Sequence, residues 1–457
     1  MPQRRRATAH GWFAGALALG LVAAACGGGG GGAAKPSSTT GPTKLTASFR
    51  GVTADSVKLG IVIVDYSKIA FAVDFNRGDQ QKIAQTFVDD INTNGGILGR
   101  KIVPVYKIYN PITNVEPLRI CTELTEDEKV FAVLGVFIDF SGDAQLCLAR
   151  DKKTIHIGHE LKREWIDQAP EGLLLSPDIT QERRIDVLMS LVRQKNTLKG
   201  KKVAILSDQD SQGVVNDVIK PALDRLKLEQ GSTGVLSIAG TDTSAAQGQL
   251  DSFIEKWKGE KIDALFLSSQ NVAGGKQFVD KIKANLPNVQ LLTDVTSGTY
   301  QAAQDEVSAG KKPNSYEGII SVDGLNGSER WAKNTPLLKH CREVYEKATG
   351  QTIVGPDDLK PGPDGKRVEI YVAVQDFCGE LVMFEEIAER AGANLTNDTW
   401  SRTVNNYGKI ELVTADIASL KKGKYDAEDG FRLEAFDSTI GNKGDWRPLT
   451  EITDAAA

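Results

Sequence analysis

Val57-Lys-Leu-Gly-Ile-Val-Ile-Val64 is a run whose apolar residues are nearly continuous. A strand needs that composition when both faces of its sheet are covered. From Gln80 the period changes: Ile83, Phe87 and Ile91, with Ala84 and Val88 beside them, recur at the spacing of one helical face. Asn94-Gly95-Gly96 then supplies residues that tolerate the left-handed backbone of a helix stop. A buried strand followed by an amphipathic helix is the first half of a βαβ unit, so the expectation is an α/β protein with parallel sheets.

The alternation continues outward from this stretch. Strands are expected near Lys101 to Tyr106, Val130 to Gly135 and Thr154 to Ile157, with helices between them. A second series follows: strands at Lys202–Ser207, Gly234–Ile238, Asp263–Leu267, Val289–Thr293 and Tyr316–Val322, with helices at Val214–Leu228 and Ala245–Trp257. Two such series predict two doubly wound parallel-sheet lobes. Helices at Leu337–Thr349 and Ile370–Ala391 come next. The Pro-, Gly- and charge-rich segment Val354–Arg367 between them reads as a solvated loop, because Asp357, Asp358 and Asp364 lack the alternation of a calcium loop.

The N-terminus points to export. Arg4, Arg5 and Arg6 precede an apolar run from Trp12 to Ala25 that is shorter than the roughly 20 residues of a membrane-spanning helix. Leu21-Val-Ala-Ala-Ala-Cys26 resembles a lipobox, so residues 1–25 are expected to be a lipoprotein signal peptide and Cys26 the lipidated residue. Such an anchor holds a protein to a membrane without a spanning helix. Residues 26–50, rich in Gly, Ser, Thr and Pro, read as a flexible tether with a mean reach on the order of 25 Å. Loss of the three arginines moves the net charge from −5 to −8. A mildly acidic chain without a basic stripe argues against a nucleic-acid partner.

Cys26 apart, four cysteines remain, and they allow three pairings. Cys121 with Cys147 and Cys341 with Cys378 are favoured, because each pair sits in neighbouring predicted helices and an oxidising compartment permits bonding. Metal binding is disfavoured: no CxxC spacing occurs and the histidines lie elsewhere. His159-Glu-Leu-Lys-Arg163 has arginine where a zinc-protease motif needs a second histidine. Gly95-Gly-Ile-Leu-Gly99 follows a helix instead of opening one, so it is no dinucleotide loop, and no nucleophile elbow or phosphate loop appears. Neither catalysis nor a cofactor is expected.

The order of elements and several local segments resemble the type I periplasmic-binding fold, in the branch of branched-chain amino-acid and related solute-binding proteins. Asp89-Asp-Ile-Asn-Thr-Asn-Gly-Gly-Ile-Leu-Gly-Arg-Lys-Ile102 carries the likeness most specifically. Lys201–Asp208 with Gly213, Gly240–Thr243 and Tyr371–Asp376 add to it. The resemblance implies a discontinuous layout: lobe one over residues 51–177 and 325–402, lobe two over 178–324 and 403–457, and a hinge of three chain crossings. It also implies an ABC transporter permease as partner and a monomer anchored to the outer membrane face. A sensor or surface interaction protein with the same fold is the rival reading.

In open parallel sheets, ligands lie beyond the carboxyl ends of strands. That rule selects Tyr66, Asp139, Phe140, Ser141, His159 and Glu160 in lobe one. In lobe two it selects Asp208, Gln212, Gln270, Asp294 and Thr296, with Asp323 at the end of the last strand. Each has a plainer alternative: Ser141 as a helix cap, Tyr66 and Phe140 as packing residues, His159 and Glu160 as a surface pair, Asp208 and Asp294 as loop or cap acids. The resemblance implies small hydroxyl residues where this chain has Asp139-Phe140 and His159-Glu160-Leu161. It implies an aromatic at Gln212 and an acid at Val295, beside Asp294. These departures favour a polar, neutral or cationic solute over leucine-like amino acids.

Overall fold

The computed structural model describes residues 45–456 except 71, 72, 74, 114, 139, 140, 239–242 and 364. The first sheet is wholly parallel. Its strands are β1 (Ser56–Val64), β2 (Lys101–Tyr109), β3 (Ala132–Leu134), β4 (Ile155–Ile157) and β5 (Leu174–Leu175), in the order β2-β1-β3-β4-β5. The second contains β6 (Lys202–Asp208), β7 (Glu229–Leu236), β8 (Ala264–Leu267), β9 (Gln290–Thr293), β10 (Ile320–Asp323), β11 (Gly430–Asp437) and β12 (Asp445–Pro448). Their order is β12-β11-β10-β9-β8-β6-β7, and Thr453–Asp454 adds a short pairing to β11.

Strand alternation explains the double winding. In β1, Leu59, Ile61 and Ile63 enter one apolar core, while Val62 and Val64 enter a separate one on the opposite face. In β6 and β8 the same split sends Ala204, Leu206, Leu265 and Leu267 one way and Val203, Ile205, Ala264 and Phe266 the other. A period of two with both faces buried is what a sheet clad by helices on both sides requires. On the first sheet these include α1 (Gln80–Thr93), whose buried face contains Ile83, Phe87 and Ile91 as expected. Its stop is made by Gly95 and Gly96, at φ 115° and 62°. A Cβ on Gly96 would lie 2.0 Å from the Arg100 carbonyl oxygen, so only glycine fits there.

The second sheet differs from expectation at three places. Strand β7 begins at Glu229, because Gly231, Ser232 and Thr233 on an edge strand carry no apolar run to mark it. The helix expected from Val214 to Leu228 is present as a continuous helix over 212–225, widened to π-helical geometry at Val215–Ile219, and it stops short of Leu228. Strands β11 and β12 close one side antiparallel, β11 pairing with both β10 and β12.

Three crossings join the sheets. The first passes through Ser176–Thr180 into α2 (Gln181–Gln194), and the second through Asp323–Asn326 into α5 (Gly327–Lys333), after α3 (Ser244–Glu260) and α4 (Thr296–Ser308). The helices α6 (Pro336–Thr349), α7 (Ile370–Ala391) and α8 (Asn397–Asn405) then pack against the first sheet. Tyr407, Leu412, Leu420, Tyr425 and Ala427 remain in that first core, whereas Phe431 and Leu433 belong to the second sheet. The third crossing therefore lies at 427–430, later than the expected boundary at 402, because the chain after α8 adds an apolar hairpin to lobe one. Ser176 donates its amide to Tyr425 O (2.9 Å) and Ala427 donates to Ser176 O (2.8 Å), so the first and third crossings run side by side.

Cys121 is bonded to Cys147 and Cys341 to Cys378, with S–S distances of 2.01 and 2.02 Å. Among the described residues, no helix is long and apolar enough to cross a membrane.

Candidate functional site: a charged crevice at the hinge

The carboxyl ends of β1 and β4, the first crossing and α7 bring a set of ionisable side chains together. His159, two residues beyond β4, is the centre. Its Nδ1 lies 2.7 Å from Asp178 Oδ2 in the first crossing, and its Nε2 lies 2.9 Å from Glu380 Oε1 on α7. Burial opposes a charge on this ring, but the two carboxylates beside it outweigh burial and hold its pKa well above the ordinary histidine value. The same contact keeps Asp178 ionised despite its enclosure. Glu380 is enclosed too, and burial raises its carboxyl against the pull of His159.

Asp376, one turn before Glu380 on α7, keeps 39% of its side-chain surface open, and Asp178 keeps 30%. Yet enclosure by protein is the largest influence on both carboxyls. Glu160 combines the same two properties, exposed to solvent but walled by protein, and it holds a left-handed backbone at φ 55°. Groups that are wet and surrounded at once line a crevice. From the lobe-one side, Arg77 reaches Glu369 (3.6 Å) and Asp376 (3.5 Å). Its guanidinium lies 4.7 Å from the Phe75 ring centroid and 5.8 Å from that of Tyr66. Burial raises the Tyr66 hydroxyl, with Arg77 opposing. Tyr66 and Arg77 also border a cavity of ≈ 430 Å³ that Phe75, Gln80 and Lys366 help to line, a volume in the small-molecule range.

From the lobe-two side, the N-terminal turn of α2 faces the ends of β9 and β10. Gln181 Nε2 donates to Asp294 Oδ2 (2.6 Å), and Arg184 Nη1 donates to Thr296 Oγ1 (3.4 Å). Burial pushes Asp294 up to about 6, with Gln181 pulling it down. Arg184 is within electrostatic reach of Glu160, Asp178, Asp294 and Glu428, so groups of both lobes share one electrostatic environment.

No family model matches the sequence, and no curated protein matches it. Solved structures do. A substrate-binding protein of an ABC transporter from Desulfitobacterium hafniense, in complex with Leu, is 14% identical; the match covers 86% of this chain and 100% of that one, at a TM-score of 0.58. A solute-binding protein from R. palustris in complex with 4-hydroxybenzoate is 14% identical over 88% of this chain and 98% of its own, at 0.61. A fatty acid ABC transporter substrate-binding protein from Thermomonospora curvata is 17% identical over 90% and 95%, at 0.55. The chain has the type I periplasmic-binding fold.

Within this periplasmic-binding fold the expected residues fall into three groups. Tyr66, His159 and Glu160 come together at the crevice, and Asp294 and Thr296 meet α2 at its other side. Asp208 and Gln212 are occupied structurally: Asp208 caps the next turn through Ser211 N (3.1 Å) and braces Asn271 (3.0 Å), while Gln212 donates to Ser207 Oγ (2.9 Å). Gln270 is exposed, its amide lying over the Cα of Gly298, where a Cβ would overlap it. Ser141 shares a hydrogen bond with Asp143 (2.8 Å) on the surface. Asp139 and Phe140 lie outside the described residues. Sequence reading did not select Arg77, Asp178, Arg184, Asp376, Glu380 or Glu428. A signal existed for two of them: Asp376 and Glu380 are acids four residues apart in the largely apolar stretch Ile370–Phe384 of a 22-residue helix, a pattern that needs a buried partner.

Proposed function

We propose that the protein is an extracytoplasmic solute-binding lipoprotein, which captures a small polar solute between its two lobes and delivers it to an ABC transporter permease. The observation that carries this reading is the hinge region, where the exposed Glu160 of lobe one and the half-buried Asp178 of the first crossing lie within electrostatic reach of Arg184, which also bonds Thr296 and acts on the buried Asp294 of lobe two. A solute that bonds both walls is better satisfied when the lobes approach, so occupancy biases a hinge equilibrium. The solved neighbours, titled as ABC transporter substrate-binding proteins, support the reading. In this proposal Tyr66, Glu160, Asp294 and Thr296 contact the solute, and His159 positions Asp178.

Native mass spectrometry of the chain purified without refolding is expected to show one small molecule bound per protein, released unchanged on denaturation. A chain that carries none and binds no member of a solute panel has lost this reading. The anchor is tested separately. Cys26→Ser is expected to move the protein from the membrane fraction to the soluble exported fraction, whereas unchanged fractionation excludes a lipid on Cys26.

A further inference from the structure

Each of the three crossings places a carboxylate at the crevice floor: Asp178 in the first, Asp323 at the start of the second and Glu428 in the third. Two are engaged, Asp178 by His159 (2.7 Å) and Asp323 by the amide of Gly324 (2.8 Å). Glu428 is not. The residue is 8% exposed, and no described group donates a hydrogen bond to its carboxylate or forms an ion pair with it. Its remaining 8% leaves a narrow opening to solvent. Gly324 keeps the approach open, since a Cβ there would stand 3.1 Å from Glu428 Oε1 and 3.0 Å from Gly430 O.

The cations nearby form no ion pair with Glu428, although Arg330 Nε has no hydrogen-bond partner of its own. Arg330 donates through Nη1 to Leu325 O (2.5 Å), and Arg184 donates to Thr296 Oγ1 (3.4 Å). Both act on Glu428 only through space, against the repulsion of Asp323 and Asp178. An ionised carboxylate nine-tenths buried, unpaired and crowded by two other acids is costly, so it either takes a proton or is joined by something positive.

We propose that the solute carries a net positive charge, on an ammonium or guanidinium that Glu428 receives at the hinge between Asp178 and Asp323. The inference rests on the solute-binding reading above and names its ligand class. It places the charge on the segments that bend, so that the cation ties all three crossings in the occupied state. Burial together with Asp323 and Asp178 pushes the empty Glu428 carboxyl up to about 8, with Arg184 and Arg330 opposing. The empty carboxyl is then mostly protonated at neutral pH. A cation that requires the ionised form gains affinity as pH rises through that value.

Isothermal titration of the full-length protein with putrescine, arginine and choline, beside leucine and 4-hydroxybenzoate, tests the proposal. At least one of the cations is expected to bind, tighter at pH 9 than at pH 7, and Glu428→Gln is expected to lose at least tenfold in affinity and the pH dependence. The melting temperature of Glu428→Gln should not fall, because the empty carboxyl has no hydrogen-bond or ion-pair partner among the described residues, and this separates lost binding from lost folding. Cation binding that Glu428→Gln leaves unchanged overturns the proposal. So does binding of the uncharged-overall leucine or of 4-hydroxybenzoate with all three cations inert, or a co-purified solute without net positive charge; in these cases solute binding itself stands. If nothing binds and nothing is carried, both readings fall together.

Discussion

Arg183→Ala is expected to destabilise the protein by about 3–5 kcal/mol, the cost of leaving buried carboxylates without their partner. Arg183 lies on α2, just past the first crossing, and its guanidinium closes a knot with the third. Nε meets Asp426 Oδ2 at 2.9 Å and Nη1 meets Asp429 Oδ1 at 2.8 Å; further bonds go to the carbonyls of Asp426, Glu428 and Ala455. Asp426 and Asp429 are 2% and 0% exposed. Lys424, also buried, donates to three carbonyls and meets Asp429 at 3.0 Å; burial and then Arg183 hold its ammonium down to about 8. The expected loss does not mean that the knot outperforms an apolar cluster of the same size, because desolvation of four charges offsets most of their attraction. It means that three of the four cannot stay buried alone. Arg183→Lys should recover only part of the loss, since an ammonium cannot donate to two carboxylates and three carbonyls in one plane. Urea unfolding at pH 7 measures both; a loss under about 1 kcal/mol for Arg183→Ala would show the knot to be solvated.

That knot and the crevice beside it mark where sequence reading stops. Strand β1 was legible because both of its faces are buried, so Val57–Val64 is apolar whichever way each side chain points. The same holds for β6 and β8. Strand β11 is as deeply buried, yet Gly430-Phe-Arg-Leu-Glu-Ala-Phe-Asp437 looks half-solvated: Arg432 and Glu434 are 5% and 0% exposed, and Arg432 is carried by a bidentate pair with Glu329 of α5. A partner about one hundred positions away leaves no local trace. The site divides in the same way. The rule about strand ends found Tyr66, His159, Glu160, Asp294 and Thr296 because loop position follows from strand position. Asp178 and Glu428 belong to the crossings and Arg184 to the helix that the first one enters; their juxtaposition is set by long-range pairing such as Ser176 with Asp426, and Arg77 and Asp376 meet only across 299 positions. The disulfide pairs were legible because each closes a short span between successive helices.

Reduction is expected to act on one lobe only. Cys121 and Cys147 sit on the helix-clad outer face of the first sheet, and Cys341 and Cys378 join α6 to α7 against its other face. The cores of the second sheet contain no cysteine. The closed spans of 26 and 37 residues each restrict the unfolded chain by about 3–4 kcal/mol on a loop-entropy count. The two bonds tie separate elements, so their effects should add, to about 7 kcal/mol. That exceeds half the total stability of most domains. In hydrogen exchange after thiol reduction, amides of β1, β3 and α7 should lose protection while those of β6, β8 and β9 keep most of theirs. The double variant Cys341→Ser with Cys378→Ser should do about half as much, without reductant. Uniform loss of protection across both sheets would mean that the lobes unfold as one body, and no loss in the first sheet would mean that its native packing alone suffices to hold it. The selectivity follows from size: the first sheet has only five strands, two of them no longer than three residues besides β5, and it must support two apolar faces on that narrow frame.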